Sequence, residues 1–210
     1  NIFDLIKTFI GLIQSLLLIS SIKPEVILSK GGFVSVPVSI AAGILKVPLI
    51  IHESDLQLGL ANRVAVKFAS RVGTAFPLRM YSDAVRQKGF YCGVPLRKEF
   101  ANSKCKIMNN HILIIGGSLG ARRLNEIFIL VGQKILKSHK VVHITGREGF
   151  EEMKIFRDSL PANLKRKYRD FDYTDDVARL IAQSKLVISR AGASTIFEVA
   201  AFSKKAILVP

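Results

Sequence analysis

Three glycines and a serine follow a short apolar run near the middle of the chain, and together they could bind a phosphate group. Residues 112–115 are all apolar, which predicts a strand buried on both faces, and the turn after it contains Gly116, Gly117, Ser118 and Gly120. Glycines allow the backbone to approach a ligand, and the helix predicted to follow would add the positive end of its dipole. The turn therefore predicts a diphosphate ligand. Its spacing matches neither a dinucleotide fingerprint nor a P-loop, so a glycine turn without a ligand remains the alternative.

Two further segments also place small or glycine residues after an apolar strand and before a helix. Gly31 and Gly32 also follow an apolar strand and lead towards a helix. A third apolar strand precedes a predicted helix start in which Glu198 lies one turn along the helix. A carboxylate there could accept hydrogen bonds from two ribose hydroxyls, or it could act as a capping-box acid that reaches back towards the helix start. The residues at that helix start are small or hydroxylated: Gly192, Ala193, Ser194 and Thr195.

Charge and composition narrow the class of partner. The 210 residues are 49% apolar and carry a formal net charge of +15, which predicts a substantial core and an anionic partner. Nucleic acid is disfavoured, because no basic run is interleaved with aromatic residues and the chain has no tryptophan. The cysteines and histidines form no metal-binding motif, so we predict no metal and no cofactor. Asp170 and Asp172 spell a DxD motif, for which we favour a structural role over metal binding.

The first segment, residues 2–22, has apolar residues at helical spacing, with Asp4, Lys7 and Gln14 interrupting them. Its uninterrupted apolar stretch is too short to span a bilayer. We expect a core helix packed on a sheet; the alternative is a helix in the bilayer interface, where Lys7 would contact anionic lipid. The chain starts within this helix and stops after an apolar strand, so we expect a fragment truncated at both ends.

Strands and helices alternate along the rest of the chain, which predicts an α/β fold with parallel sheets. A polar and basic stretch divides it into residues 1–95, a linker at 96–110, and residues 111–210. We expect two Rossmann-like domains that face a cleft, with the carboxyl ends of strands from both at one site. Helices are expected near 36–45, 58–68, 78–87, 121–137, 148–158, 175–184 and 194–203, and strands at 26–29, 48–52, 71–76, 89–93, 112–116, 140–145, 168–172, 185–189 and 205–209.

Six motifs, in this order, resemble the MurG family: KGGFVSVP, IIHESD followed by GLANR, GVPLR, IIGGSLGAR, YTDD and RAGASTIFE. The resemblance implies the GT-B fold and an inverting glycosyltransferase of peptidoglycan synthesis. Such an enzyme moves N-acetylglucosamine from UDP-N-acetylglucosamine to lipid I and forms lipid II. It also implies a peripheral location at the cytoplasmic face of a bacterial plasma membrane, with an anionic membrane surface as a partner. The fragment itself is expected to be inactive.

The resemblance also implies roles for individual residues. Arg97 would contact the donor's diphosphate as a permanent cation, together with Ser118 and the glycines Gly117 and Gly120. The backbone of Thr174 would contact uracil. Glu198 would bind ribose. The phosphate-binding helix start would comprise Ala193, Ser194 and Thr195.

On the acceptor side, the resemblance implies that Gly31, Gly32, His52 and Glu53 border the site. A base must take the acceptor proton, and His52 and Glu53 are the candidates within the chain. Asp55 replaces an asparagine that contacts the donor in many members. The family's first glycine-rich loop and its sugar-recognising glutamines would lie outside the chain. Two other functions stay open: another GT-B nucleotide-sugar transferase or epimerase, or a non-catalytic binding module docked on a membrane.

Overall fold

The computed structural model describes residues 2–101, 110–116 and 122–209, in two compact units, Asn1–Pro95 and Leu96–Pro210. Each unit has a single parallel sheet with helices along its sequence between the strands. Parallel strands need crossover connections, and the helices provide them. The predicted α/β class is therefore confirmed.

The first unit contains a four-stranded sheet in the order β1-β2-β3-β4. Strand β2 is the most buried of the four, and its Leu49 and Ile51 are completely buried. The core beneath it also contains Ala42 of α2, Ala65 of α3 and Val72 of β3. The elements in chain order are α1 (Ile2–Ile22), β1 (Ile27–Ser29), α2 (Ser35–Ile44), β2 (Leu49–Glu53), α3 (Leu60–Phe68), β3 (Arg71–Thr74), a 3₁₀ turn (Leu78–Met80), α4 (Asp83–Arg86) and β4 (Gly89–Tyr91).

Helix α1 packs on α2 along one side only. Gly11 lies close enough to Pro37 that a Cβ on the glycine would be 3.3 Å from the proline ring, and Ser15 and Ile19 are buried. Elsewhere on α1, large apolar side chains are exposed to solvent. We call this set the α1 apolar face: Ile6, Phe9, Ile10, Ile13, Leu17, Leu18 and Ile22.

The second unit contains a five-stranded sheet in the order β7-β6-β5-β8-β9. The chain begins at the central strand, moves outward to β7, and then returns to the other side of β5. The neighbouring strands β5 and β8 therefore mark a topological switch point. The elements are α5 (Lys98–Ala101), β5 (His111–Ile115), α6 (Arg122–Ser138), β6 (Val141–Ile144), α7 (Phe150–Ser159), α8 (Ala162–Lys165), β7 (Tyr168–Phe171), α9 (Val177–Gln183), β8 (Ser184–Arg190), α10 (Ala193–Ala201) and β9 (Ala206–Val209).

Strand β5 is buried on both faces, as its uninterrupted apolar run predicts. Leu113 and Ile115 belong to one hydrophobic cluster, whereas Ile112 and Ile114 belong to another. Since successive side chains of a strand point to opposite faces, the two clusters cover opposite sides of the sheet. The glycine-rich segment therefore begins directly after a strand that is packed on both faces and hydrogen-bonded along both edges.

The structure differs from the predicted elements at three places. The helix expected at 78–87 is broken at Tyr81, whose side chain is buried and whose hydroxyl donates to the Asp55 carbonyl. Helices α5 and α8 are too short for periodicity to reveal them. Of the residues predicted as a linker, 96–101 and 110 are described, and Phe100 is buried in the core of the second unit.

His143 is buried in an aromatic cluster of the second unit. Its ring centroid is 5.2 Å from that of Phe128, and its Nδ1 accepts a hydrogen bond from the Tyr168 hydroxyl at 3.1 Å. Burial lowers the pKa of His143 to about 3 and raises that of Tyr168. The imidazole is therefore neutral in the folded chain, and the phenol keeps its proton.

The buried neutral His143 should make the chain less stable in mild acid. An unfolded histidine has a pKa of about 6.5, so between pH 6.5 and pH 3 the unfolded chain binds a proton that the folded chain excludes. Folding should lose about 2 kcal/mol between pH 7 and pH 5 from this residue alone. Urea unfolding at the two pH values should show this loss in the wild type and not in His143→Gln, because all other titratable groups are shared. Equal pH dependence in both proteins would contradict the assignment.

Candidate functional site

A cavity of about 760 Å³ opens in the second unit at the carboxyl ends of its strands. Its walls include the last residue of β5, Ile115, the last residue of β6, Ile144, and residues at the start of α10. This volume lies in the range of small-molecule pockets, and the position is where open parallel sheets bind ligands. The lining residues are Arg97, Ile115, Ile144, Arg147, Glu148, Asp172, Tyr173, Thr174, Val177, Ser194, Thr195 and Glu198.

Five of the predicted donor-binding residues line this one cavity, although 101 positions separate the first from the last: Arg97, Thr174, Ser194, Thr195 and Glu198. Ala193 is the first residue of α10. Gly117, Ser118 and Gly120 lie outside the described residues. Gly116 is described, and its N–H donates to the Ile144 carbonyl at 2.9 Å, which holds the start of the glycine turn at the cavity wall.

Glu198 is half-buried on the second turn of α10, and burial raises the pKa of its carboxyl group. The positive charge of Arg97 acts in the opposite direction. The N-cap of α10 is Gly192, and no side chain caps it. A capping box requires an acid at the third helical position, so the capping-box alternative for Glu198 is wrong. Its carboxylate is instead available to a ligand in the cavity.

Arg97 and the start of α10 supply positive charge on one side of the cavity. The Arg97 guanidinium lies over the Phe100 ring, 5.1 Å from its centroid, so the ring packs against one face of the guanidinium. The N–H groups of the first turn of α10 have no carbonyl partner within the helix, and the helix dipole makes that end positive. Ser194 and Thr195 add hydroxyl groups at the same place. An anionic group would therefore be stabilised there.

Thr174 and its neighbours form the loop between β7 and α9. The Thr174 hydroxyl accepts a hydrogen bond from the Asp176 N–H at 3.1 Å, which closes a turn before α9. Tyr173 is 57% exposed, and its hydroxyl donates to Asp175 at 2.8 Å. Both Tyr173 and Thr174 line the cavity, so this loop forms part of its wall.

Sequence reasoning missed four cavity residues: Arg147, Glu148, Asp172 and Tyr173. All four lie within four residues of the carboxyl end of β6 or β7, so their position after a strand is the signal that could have found them. The other acid of the DxD motif, Asp170, is 2% exposed and pairs with Arg157 at 2.8 Å. The two acids therefore have separate surroundings, and Asp170 has a structural partner.

In the first unit, Gly31 and Gly32 form the turn after β1, and both have a φ of 87°. Side chains rarely adopt this conformation. A Cβ on Gly31 would also lie 3.1 Å from the amide of Asn62. The Gly31 N–H donates to the Ser29 hydroxyl at 3.2 Å. The turn therefore requires glycine at position 31 for both conformation and space.

Glu53, at the end of β2, is 4% exposed and accepts three hydrogen bonds. The N–H groups of Asp55 and Gly59 donate to it at 3.0 and 3.1 Å, and the Asn62 side chain donates at 3.0 Å. The carboxylate thus ties the loop at residues 54–59 to helix α3. Asp55 itself is exposed, and its carboxylate accepts no hydrogen bond in the described part of the chain.

His52 precedes Glu53 and is 7% exposed. Its Nε2 lies 2.9 Å from the Gly93 carbonyl, which can only accept, so Nε2 carries the hydrogen. Its Nδ1 then carries no hydrogen and accepts a hydrogen bond from the Ser54 hydroxyl at 3.4 Å. Of the two residues predicted as a base, His52 has a nitrogen able to accept a proton, whereas the Glu53 oxygens already accept three bonds.

Within residues 2–101, 110–116 and 122–209, no three histidine, cysteine or acidic side chains lie close enough to hold a metal ion. In the same ranges, no helix has both the length and the apolar character needed to cross a bilayer.

A parallel sheet with its ligand cavity at the switch point defines a class, the Rossmann-like nucleotide-binding proteins. Two family descriptions narrow the class. Residues 1–74 match the glycosyltransferase family 28 N-terminal domain, and residues 111–210 match the glycosyltransferase family 28 C-terminal domain. The chain therefore belongs to glycosyltransferase family 28.

Curated relatives support the expected resemblance to the MurG family. The chain is 40% identical to the UDP-N-acetylglucosamine--N-acetylmuramyl-(pentapeptide) pyrophosphoryl-undecaprenol N-acetylglucosamine transferase of Clostridium perfringens strain SM101. It is 33% identical to the transferase of the same name from Treponema pallidum. Both alignments cover 100% of this chain but only 59% and 58% of the relatives, so the chain spans about three-fifths of their length.

Solved structures agree. The chain matches Acinetobacter baumannii MurG with a TM-score of 0.75 and 27% identity, over 98% of this chain and 58% of that one. It also matches a UDP-GlcNAc 2-epimerase from Neisseria meningitidis bound to UDP-GlcNAc, with a TM-score of 0.69 and 12% identity, over 96% and 63%. The second likeness is one of fold alone. The MurG resemblance and the GT-B fold class predicted from the motifs are confirmed.

Proposed function

We propose that the chain is the greater part of an inverting glycosyltransferase that moves N-acetylglucosamine from UDP-N-acetylglucosamine to lipid I and forms lipid II. The observation that carries the proposal is the cavity of the second unit, in which Arg97, Thr174 and Glu198 meet the start of α10. Relatives named for this transfer, at 33–40% identity, support the choice of donor and acceptor. The UDP-GlcNAc bound to the epimerase supports a UDP-sugar donor for this fold.

In this proposal the second unit binds the donor. Glu198 accepts hydrogen bonds from the ribose hydroxyls, and the backbone of Thr174 contacts uracil. Arg97, the glycine turn with Gly117, Ser118 and Gly120, and the first residues of α10 bind the diphosphate. Negative charge grows on the leaving diphosphate during transfer, so these groups bind the transition state more strongly than the ground state. No cofactor is required.

The first unit forms the acceptor side, bordered by Gly31 and Gly32. The acceptor hydroxyl must lose a proton, and we propose His52 rather than Glu53 as the base, because the Nδ1 of His52 keeps a lone pair. We also propose that Asp55, which stands where many family members have an asparagine, contacts the donor.

The donor part of the proposal is tested by calorimetric titration of the chain with UDP. We expect saturable binding, and absence of binding would contradict the proposed donor site. The acceptor part requires the chain extended to the length of its curated relatives. Transfer to a lipid I analogue is expected, whereas UDP binding without transfer to that acceptor would favour a different GT-B transferase or epimerase.

We further propose that the protein is peripheral at the cytoplasmic face of the bacterial plasma membrane and that the α1 apolar face contacts the bilayer. Seven large apolar side chains are exposed on this helix, and Lys7 lies beside them to meet anionic lipid. This arrangement favours the second of the two roles that the sequence left open for the helix.

Removing two side chains of the α1 apolar face should weaken membrane binding. The double variant Phe9→Ser with Leu17→Ser removes two residues that are 63% and 69% exposed. Each contributes about 1.5–3 kcal/mol when fully buried, so we expect at least a tenfold loss of binding to vesicles with anionic lipid. The matched control, Leu130→Ser with Ile155→Ser, changes exposed apolar residues of the second unit and should bind as the wild type does. An equal loss in both variants would contradict a specific contact by α1.

A further inference from the structure

The described cavity wall contains more acids than bases, although its proposed ligand is an anion. Arg97 and Arg147 face three carboxylates, those of Glu148, Asp172 and Glu198. A diphosphate that enters this cavity meets repulsion from these acids, and in a partly enclosed site that repulsion is weakly screened. Each of the two guanidiniums is therefore important for the charge balance of the site.

Arg147 lies in the loop after β6, three residues beyond the last residue of the strand, and β6 is the strand next to β5. Gly146 precedes it with a φ of 76°, so the chain turns sharply where Arg147 enters the cavity wall. This turn lies beside the residue from which the glycine-rich segment leaves β5, because Ile144 and Ile115 are partners in the two strands. Arg147 is thus positioned on the diphosphate side of the nucleotide fold.

The two guanidiniums have different partners. Arg97 lies over the Phe100 ring and lowers the pKa of Glu198, which burial raises. Arg147 forms no ion pair with any carboxylate in the described part of the chain. The hydrogen bond to Asp175 raises the pKa of the Tyr173 hydroxyl. The positive charges of Arg97 and Arg147 both lower it, so both cations interact with the same phenol. Arg97 has no ion pair within the described residues either, so each of the two cations can turn to a ligand without breaking one.

We propose that Arg147 is a second donor-binding residue, which pairs with the diphosphate of the UDP-sugar in the cavity shared with Arg97. The inference rests on the proposed function and extends it to a residue that the motifs did not identify. A guanidinium is suited to this role because it stays charged and can donate two parallel hydrogen bonds to phosphate oxygens.

The test compares UDP with uridine, which lacks the phosphates. Calorimetric titration of Arg147→Gln should show about a tenfold loss of affinity for UDP and no change for uridine, because one charge-assisted contact is removed. Arg147→Lys should recover part of the loss. Lys154→Gln, which removes a positive charge on α7 outside the cavity wall, is the matched control and should bind UDP as the wild type does.

The outcomes separate the two proposals. A wild-type chain that binds no UDP contradicts the proposed function, and this inference with it. A wild-type chain that binds UDP together with an unchanged Arg147→Gln contradicts only the role of Arg147. Equal losses for UDP and uridine would place Arg147 at the nucleoside and also overturn the inference. Circular dichroism of each variant shows whether a loss reflects misfolding.

Discussion

Glu198→Gln should weaken UDP binding by about 10- to 100-fold while leaving the chain folded. A carboxylate that accepts hydrogen bonds from ribose contributes about 1.5–3 kcal/mol through a charged acceptor, and the amide has the same shape without the charge. Glu198 is only half-buried and forms no helix cap, so its replacement should cost the fold little. Calorimetric titration with UDP measures the loss.

Glu148→Gln is the matched control for Glu198→Gln, because it removes an exposed carboxylate from the same cavity wall. It should bind UDP as well as or slightly better than the wild type, since one repulsive charge near the diphosphate is gone. Equal losses in both variants would contradict a specific ribose contact and indicate a general effect of cavity charge.

The pH dependence of UDP binding gives an independent check on Glu198. Burial raises the pKa of this carboxyl group, so it takes up a proton at a higher pH than an exposed glutamate does. The charged form accepts the ribose hydroxyls, and affinity should therefore fall as the pH is lowered through the raised pKa. Glu198→Gln should lack this part of the pH dependence.

Glu53→Gln should destabilise the chain by about 3 kcal/mol, because an amide cannot replace a buried carboxylate that accepts three hydrogen bonds. The amide has one oxygen, so its NH₂ group would face either the Asp55 N–H or the two donors from Gly59 and Asn62. The Asn62 amide also packs against the Gly31 turn, so the substitution should affect that turn as well. Urea unfolding followed by circular dichroism measures the change.

The control for Glu53→Gln is Asp55→Asn, which makes the same chemical change two residues away on an exposed side chain. It should alter stability by less than about 0.5 kcal/mol. A Glu53→Gln variant as stable as the wild type would contradict the loop-holding role and return Glu53 to consideration as the base.

Sequence periodicity predicted every strand, with ends within two residues, because each strand of a parallel sheet is a short apolar run between polar turns. The broken helix near Tyr81 was not predictable, because its cause is a hydrogen bond to Asp55, a residue 26 positions earlier. Local sequence carries no information about such a partner. The four-residue helix α5 was not predicted for a related reason: it is stabilised by the burial of Phe100 in a core whose other residues are distant in sequence.

The residues of the candidate site also fall into those that the sequence predicted and those that it did not. Glycines, the helix start at Ala193 and Glu198 were found because strand ends and helix starts are visible in sequence. Arg147 was not found, because an isolated arginine after a strand has no pattern of its own. The hydrogen bonds of Glu53 were equally hidden, and its type alone suggested a catalytic base. The roles of these residues remain predictions, to be tested by the variants above.

The order of strands in the second unit has a consequence for assembly of the chain. Strand β5 pairs with β6, about 30 residues later, and also with β8, some 75 residues later. Closing the second pairing encloses all the chain between them and is the slower step, because loop-closure entropy opposes long-range contacts. The start of α10 reaches its place only after β8 has docked. If the proposed donor site is correct, UDP would bind the finished unit and not a partly folded one, and its binding would favour completion by mass action.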